Sequence, residues 1–479
     1  MSFLDPAFPA FFLIVWLIGR LLPGPNAKNA WLVLASLIFY GWVDPSLVLV
    51  LLGSTVLDHG LALAIERWPR HGGRLVGASV AVHVGLLAWF KYLGWALDSF
   101  SEAGRALGLP LDLPTLHVLL PLGLSFYSFQ SLGYVVDVYR GKLRARRNLI
   151  TFLAFATFFP QLVAGPIGRG AKLLPQLEQD RSPSLAMVRS GLTMALWGAF
   201  LKVVIADTLA PWIDATLSLP TPPGVLLWSS SLAFGVQIYA DLAGYTCLAR
   251  GLARTFGIEL AHNFREPYLA TSTPDFWRRW HISMSGWIRD YILVPLMTLW
   301  ERRSGVLHTA VPLLVTFLVI GMWHGAGWHY ALFGLWHAGW VGFYQWVTPR
   351  VPVALAQLPG ARAFAVVSHV LVVLMPGTLV FNAGGLRRAF HLLAIPPWGG
   401  DTDARLVAAM VLALAAIGSV PLLAEWGLRR WAGQRWASIG TDAEHPWVLP
   451  AQTTAWSVAL LGLVVFHRLG QHDFVYFRF

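Results

Sequence analysis

Apolar stretches near the length of a bilayer recur along this chain, and they limit its fold more than anything else in it. Segments long enough to cross a hydrocarbon core of about 30 Å run near 7–22, 30–53, 75–98, 115–138, 149–166, 186–212, 224–249, 307–324, 326–347, 362–382, 405–424 and 449–467. Inside a bilayer every backbone N–H and C=O must be satisfied within the protein, which leaves helices or closed barrels. Continuous apolar runs of this length read as helices. The composition agrees, with 56% hydrophobic and 12% charged residues, where a soluble domain carries roughly a quarter of its residues as charges. The expectation is an all-α integral membrane protein with about 11–13 membrane segments, because several runs suffice for two helices or a bent one. No repeat of fixed period and no soluble domain is visible, so residues 1–479 read as a single multi-pass membrane domain. Phe8 to Ile18 is apolar without a basic region before it, which makes it a first membrane helix rather than a cleaved signal.

The formal net charge is +11, and the basic residues gather in short hydrophilic gaps. Arg67, Arg70 and Arg74 form one cluster, the stretch Arg140 to Arg147 another, and Arg302-Arg303 and Arg429-Arg430 with Arg435 two more. The positive-inside rule turns many of these gaps toward the cytoplasm. Topology alone accounts for them; a cationic surface also attracts an anionic cytosolic ligand, such as a nucleotide-bearing cofactor or an acidic carrier protein. No nucleic-acid partner is expected. The one cysteine, Cys247, excludes a disulfide, a multi-thiolate zinc site or an iron–sulfur cluster within the chain. A metal site would have to rest on histidines and carboxylates, and no HxxxH or HxxE spacing joins His281, His324 and His337, so none is expected.

The segment "FREPYLATSTPDFWRRWHISMSGWIRDYILVPL" (264–296) behaves differently. Thr273 followed by Pro274 suits a helix N-cap and first turn. At helical spacing Trp277, Trp280, His281, Met284, Trp287, Ile288 and Tyr291 share one stripe, with Asp275, Arg278, Arg279 and Arg289 on the other. Asp275 can pair with Arg278 and Arg279. An amphipathic segment of this kind lies in the interface or re-enters the protein rather than crossing the bilayer.

His324 stands where an apolar helix runs into Gly325-Ala326-Gly327, glycines that let the backbone leave the helix or approach a ligand closely. An ionisable group at membrane depth is costly and usually lines a polar cavity. Its neutral form can accept a proton, which suits a general base, although a hydrogen-bonded structural histidine fits the same position. His337, in "GLWHAGW", is closer to a packing residue, and His329 reads as interfacial. Histidines 59, 83, 117 and 391 show no pattern. Gln130, Asp137, Gln161, Gln237, Asp241 and Tyr245 are polar residues in membrane segments interrupted by Gly, Pro or an amide. They either tie helices together or line a passage.

The strings "LPLGLSFYSFQSLGYVVDVYRG", "FFPQLVAGPIGR", "FGVQIYADLAGY", the 264–296 segment, "GMWHGAGWHYALFGLWHAG" and the terminal "DFVYFRF" occur together and in order. In this the chain resembles the membrane-bound O-acyltransferases, most closely their alginate O-acetylase branch, densely over about residues 85–345 and more loosely at the ends. The resemblance implies a multi-pass acyltransferase with a central tunnel, in which His324 is the catalytic residue and His281 the second important histidine. An acyl thioester, acetyl-CoA for this branch, would enter from the cytoplasmic side of a bacterial inner membrane. Periplasmic acetyltransferase or polysaccharide-secretion proteins would be partners in O-acetylating an exported polysaccharide such as alginate.

A thioester is already activated, so its transfer to an alcohol needs chiefly a base for the hydroxyl and a place for the oxyanion. His324 would be the base; His281, Asp241, Tyr245 or the Trp323 indole would orient groups or donate hydrogen bonds; Gln237, Gln130 and His337 are further tunnel candidates. Arg278 and Arg279 would suit the phosphates of coenzyme A. Four positions depart from the family pattern: Ala243 and Cys247 in "DLAGYTCLA", Met297 in "PLMT" and Asn382 in "VFNAG". They bear on acceptor choice and partner docking rather than on the two histidines. Two other functions fit less well: acyl or D-alanyl transfer from an acidic carrier protein to a cell-wall polymer, and a proton-coupled transporter with the histidines as relay. The sequence shows neither the repeats nor the paired membrane carboxylates of a transporter.

Overall fold

Among the described residues six helices are long and apolar enough to cross a membrane: Ser46–Arg67, Pro69–Ala106, Leu185–Ser218, Gly224–Thr255, Ala361–Phe381 and Thr402–Gly427. Phe8–Leu21, Ala310–His324 and Trp456–Phe466 are shorter apolar helices. The computed structural model describes residues 1–42, 44–109, 121–304, 309–432 and 448–466. Among these every regular element is helical, and the protein has a multi-pass, all-α membrane fold. His117, the DFVYFRF string and much of the 427–446 connection fall outside the described residues. Large apolar side chains such as Leu49, Ile417 and Val464 are left exposed, the surface a hydrocarbon solvent demands.

The apolar runs do not map one to one onto helices, and breakers in the sequence explain why. The run 30–53 is cut between Tyr40 and Ser46, where Gly41 closes one helix and Pro45 precedes the next. The run 149–166 breaks after Thr157, before the short turn Phe159–Leu162 with its Pro160. Conversely, 75–98 continues to Ala106 through a π-helical turn at Ala88–Tyr92, and 186–212 continues to Ser218 through another at Leu201–Ala206.

The described residues form two compact units, Met1–Ala195 with Leu248–Ala261, and Leu196–Cys247 with His262–Phe479. The first contains α1 (Phe8–Leu21), α2 (Gly24–Tyr40), α3 (Ser46–Arg67), α4 (Gly72–Leu87), α5 (Leu124–Tyr139) and α6 (Leu149–Thr157). Helix α3 packs on α4 and α5, and α2 on α6. Where they meet, one set of polar side chains is joined by hydrogen bonds. His83 Nε2 lies 2.6 Å from Asp58 Oδ2, its Nδ1 is 2.9 Å from Ser128 Oγ, and Ser79 Oγ donates to Asp58 Oδ1 at 2.6 Å. All four residues are inaccessible to solvent. Gln130 ties α5 to the chain after it: its Nε2 donates to the Phe155 carbonyl, and its Oε1 accepts from Gln161 Nε2 at 3.0 Å and from Gly168 N at 3.1 Å.

In the second unit lie α7 (Gly224–Thr255) as far as Cys247, α8 (Thr273–Arg279), α9 (Ile282–Ile288), α10 (Ala310–His324), α11 (Trp328–Val347) and α12 (Met375–Phe381). A π-helical turn, His369–Leu374, leads into α12. Helices α10 and α11 form a tight hairpin. A Cβ on Gly321 would collide with the Tyr330 carbonyl and one on Gly334 with the Phe317 carbonyl, so glycine is what lets the two backbones touch.

Residues 264–296 hold a broken path rather than one amphipathic helix. The N-cap is Ser272, whose hydroxyl accepts from Asp275 N at 3.4 Å, and Thr273 and Pro274 occupy the first turn. The helix stops at Trp280 and restarts after His281. The apolar stripe survives the break: Trp277, Trp280, His281, Met284, Trp287 and Ile288 are all buried. Tertiary burial thus follows the pattern although the helical hydrogen bonds do not. The expected pairs form, with Asp275 3.0 Å from Arg279 Nε and 3.5 Å from Arg278.

Candidate active site

His324 is the last residue of α10. The two glycines after it do not serve the backbone angles, since Gly325 (φ −172°) and Gly327 (φ 177°) are extended in a way any residue adopts. They serve space. A Cβ at Gly325 would enter the Tyr330 ring, and one at Gly327 would stand 2.6 Å from the His329 ring. The chain therefore reverses tightly and folds Tyr330 back over the turn. His329 is buried against Tyr330, with ring centroids 4.0 Å apart, and is not the interfacial residue its sequence position suggested. Only Trp328 in this turn is exposed.

The reversal leaves the His324 ring on the wall of a cavity of about 240 Å³. Helix α7 contributes Ser231 and Phe234 to it, α8 Phe276 and Trp277, α11 Phe333 and His337, and α12 Thr378 and Phe381. The His324 ring stands edge-on to Phe381 at 5.2 Å, Phe333 at 5.6 Å and Trp323 at 4.9 Å. The hydroxyls around the cavity are engaged in the wall. Ser231 Oγ meets the Met375 carbonyl at 2.9 Å and Thr378 Oγ1 at 2.7 Å, and Tyr268 donates to the Gly235 carbonyl at 2.5 Å. The interior therefore favours an apolar guest, with histidines as the polar groups at its edge.

His281 sits at the break between α8 and α9 with φ +44°, a left-handed conformation that costs a non-glycine residue of order 1–3 kcal/mol. Asn263 holds it there. Its carbonyl accepts from Ile282 N at 2.8 Å, and its Oδ1 accepts from Ser283 N at 3.2 Å and Ser283 Oγ at 2.6 Å. The kink turns the His281 ring inward, perpendicular to the Trp323 indole at 5.9 Å. The indole thus contacts both histidine rings, although His281 itself does not line the cavity. Burial lowers the His281 pKa to about 4, so its ring is neutral near pH 7.

A buried histidine at the mouth of a glycine turn, an aromatic cavity and a second buried histidine against the same indole make a site for proton transfer at an apolar group. Residues 140–381 match the model of the MBOAT, membrane-bound O-acyltransferase family. A Pseudomonas putida protein named "Probable alginate O-acetylase AlgI" is 38% identical over 346 residues, 71% of this chain and 70% of its own. The Helicobacter pylori "Peptidoglycan O-acetyltransferase" is 33% identical over 371 residues, 70% of this chain and 69% of its own. A "Teichoic acid D-alanyltransferase" of Bacillus subtilis is 26% identical over 226 residues, 45% of this chain and 57% of its own. The chain belongs to the membrane-bound O-acyltransferase family. It is a multi-pass membrane enzyme that transfers an acyl group to oxygen.

In this O-acyltransferase the remaining sequence candidates separate by place. His324 and His337 share the cavity wall, and Trp323 and His281 stand beside it. Gln237 and Tyr245 are buried along α7 without lining the cavity. Asp241 belongs to an ion cluster: Lys202 Nζ lies 2.7 Å from Asp241 and 2.8 Å from Asp207. That cluster also corrects the sequence argument that paired membrane carboxylates are lacking. Two aspartates 34 positions apart converge on one lysine, which no local spacing could show. Gln130 is a structural tie in the first unit. Arg278 is largely exposed, whereas Arg279 is held more closely by Asp275. Burial raises the Asp275 pKa, but the Arg279 hydrogen bond and the charges of Arg279 and Arg278 outweigh it and bring the carboxyl below its ordinary value.

Of the four departures from the family pattern, Ala243 is buried, Cys247 and Met297 are half-buried, and Asn382 closes α12 by donating its Nδ2 to the Thr378 carbonyl at 2.9 Å. Among the described residues no three histidines, cysteines or carboxylates converge as metal ligands. Tyr268 and His369, at or beside the cavity, carried no role in the sequence, and Trp277, which lines it, stood out only as a member of the apolar stripe. His369 Nε2 lies 3.3 Å from Thr273 Oγ1. Its signal was available, since "VVSHVLVVLM" places an imidazole in an apolar run as His324 does.

Proposed function

We propose that this enzyme transfers an acetyl group from acetyl-CoA to hydroxyls of an exported polysaccharide such as alginate, with His324 as general base. The observation that carries the reading is the His324 ring on the wall of an apolar cavity. The names of the relatives supply the acyl group and the class of acceptor. The acyl group would occupy the cavity with its thioester carbonyl at the His324 edge. The acceptor oxygen attacks that carbon, His324 takes the hydroxyl proton, and the proton passes to the departing coenzyme A sulfur as the C–S bond breaks. His281 and Trp323 would hold the His324 ring in place. Arg278 would meet a coenzyme A phosphate as an exposed point of charge, and the basic gaps would place that side of the enzyme in the cytoplasm of a bacterial inner membrane. Periplasmic acetyltransferase or polysaccharide-secretion proteins would then carry the product onward.

The test is label transfer. Purified enzyme with labelled acetyl-CoA and alginate oligosaccharides should label the oligosaccharides and release coenzyme A. His324→Ala should lower the rate by about 10²–10⁴-fold, the usual worth of general-base help, while still inserting in the membrane. Normal transfer by that variant would overturn the role of His324. Transfer only from an acyl carrier protein would favour the D-alanyltransferase-like alternative, and labelling of peptidoglycan instead of alginate would change the acceptor.

A further inference from the structure

His337 was expected to be part of the wall, yet its surroundings fix both its orientation and its proton. Trp277 Nε1 donates to His337 Nδ1 at 3.4 Å. An indole nitrogen carries a hydrogen and no available lone pair, so it can only donate. A histidine nitrogen that accepts from it bears no hydrogen, and the single proton of the neutral ring must then sit on Nε2. Aromatic rings hold the imidazole against rotation. Phe333 stands edge-on at 4.6 Å, Trp277 edge-on at 5.2 Å, and Phe276 lies parallel at 6.3 Å. Nε2 is turned toward Gly377, where a Cβ would lie 3.5 Å away. Gly377 sits between Met375 and Thr378, which line the cavity. His337 and His324 both border that cavity and both flank the Phe333 ring, which puts their ring centroids at most about 10 Å apart.

The His337 ring is thus locked as a donor at Nε2. We infer that His337 is a second catalytic residue, donating its Nε2 hydrogen to the thioester oxygen as negative charge develops there, with Trp277 positioning it by fixing the tautomer. The inference rests on the acyl-transfer reading above. In the step concerned the acceptor oxygen forms a bond to the thioester carbon and the carbonyl π pair moves onto oxygen. His324 holds the proton from the hydroxyl, and His337 stabilises the oxyanion without giving up its own hydrogen. Collapse re-forms the C=O and expels the coenzyme A sulfur, which receives the proton from His324. A donor of fixed direction in an apolar cavity is the arrangement in which oxyanion stabilisation is strongest.

The experiment compares His337→Leu, His337→Gln and Trp277→Phe in detergent-purified enzyme, with acetyl-CoA as donor and alginate oligosaccharides as acceptor. The melting temperature of each variant is recorded alongside. His337→Leu should lower kcat about 10²–10³-fold, the usual loss on removing an oxyanion donor, with little change in the KM for acetyl-CoA. His337→Gln, which restores an N–H, should recover at least tenfold of that loss. Trp277→Phe should lower kcat to an intermediate level at unchanged KM. If His337→Leu does not fold, Trp277→Phe against wild type carries the test. The inference is overturned if kcat is unaffected by these changes, or if Gln and Leu are equally impaired, or if the losses appear in KM. The His324→Ala result separates the two failures. Loss of activity there with a silent His337 sinks only this inference, and activity retained there sinks the acyl-transfer reading on which it rests.

Discussion

At the scale of single residues, burial decides which histidine can do what. His281 is held in a left-handed turn by Asn263 and shielded by Phe264 and Trp323, and burial brings its pKa from 6.5 to about 4. A histidine depressed in the fold favours the folded state while it is neutral. Its contribution is complete above about pH 6.5 and is lost as the pH falls toward about 4. The melting temperature should therefore decline through that window. His281→Gln should flatten the decline although it begins from a less stable fold. An unchanged slope would remove His281 from the account. An imidazole in an apolar run marks His324, and the same feature marks His369, whose partner Thr273 is 96 residues away.

At the scale of elements, the α10–α11 hairpin is the part that delivers the site. Gly321 and Gly334 let the two backbones approach, and Gly325 makes room for the Tyr330 ring beneath the turn. Gly334→Ala would press its methyl into the Phe317 carbonyl, and overpacking of this kind costs about 1–3 kcal/mol. A lower melting temperature is expected, together with a fall in kcat, because the hairpin carries His324 at one end and His337 two turns along. Gly339→Ala, on the same helix with no atom within 4 Å of its Cβ position, is the control that should change neither. The α8–α9 path shows the opposite case, in which the apolar stripe was readable but the break was not. Helical periodicity records which side is buried; the turn at His281 depends on Asn263, which precedes the segment's helices and leaves no periodic trace.

For the molecule as a whole, polar clusters buried within each unit hold helices that hydrophobicity alone would let slide in lipid. In the first unit Asp58 and His83 join α3 to α4, and Ser128 of α5 completes the set. Removing one member of a buried hydrogen-bonded pair leaves the other unsatisfied, at a cost of about 1–3 kcal/mol. His83→Leu should accordingly lower thermal stability in detergent by that order. The double change His83→Leu with Asp58→Leu should restore part of it, since an apolar replacement of both partners is often neutral. Equal losses in the single and double variants would mean that packing, rather than the stranded carboxylate, was responsible.

By itself the sequence determined the solvent and the class of fold, because twenty-residue apolar runs admit little but membrane helices. It also marked His324 as an ionisable group in an apolar run, and its ordered strings pointed to the family. Three features were left to the tertiary structure. His83 looked patternless until Asp58 of another helix faced it, Asp241 looked like a tunnel residue until Lys202 claimed it, and His337 looked like wall until Trp277 fixed its proton. Periodicity and local spacing report on neighbours within a turn or two, whereas the state of a buried polar group is set by what packs against it from far along the chain. Trp277 and His337, 60 residues apart, meet only because the α8 segment and the α10–α11 hairpin share one cavity.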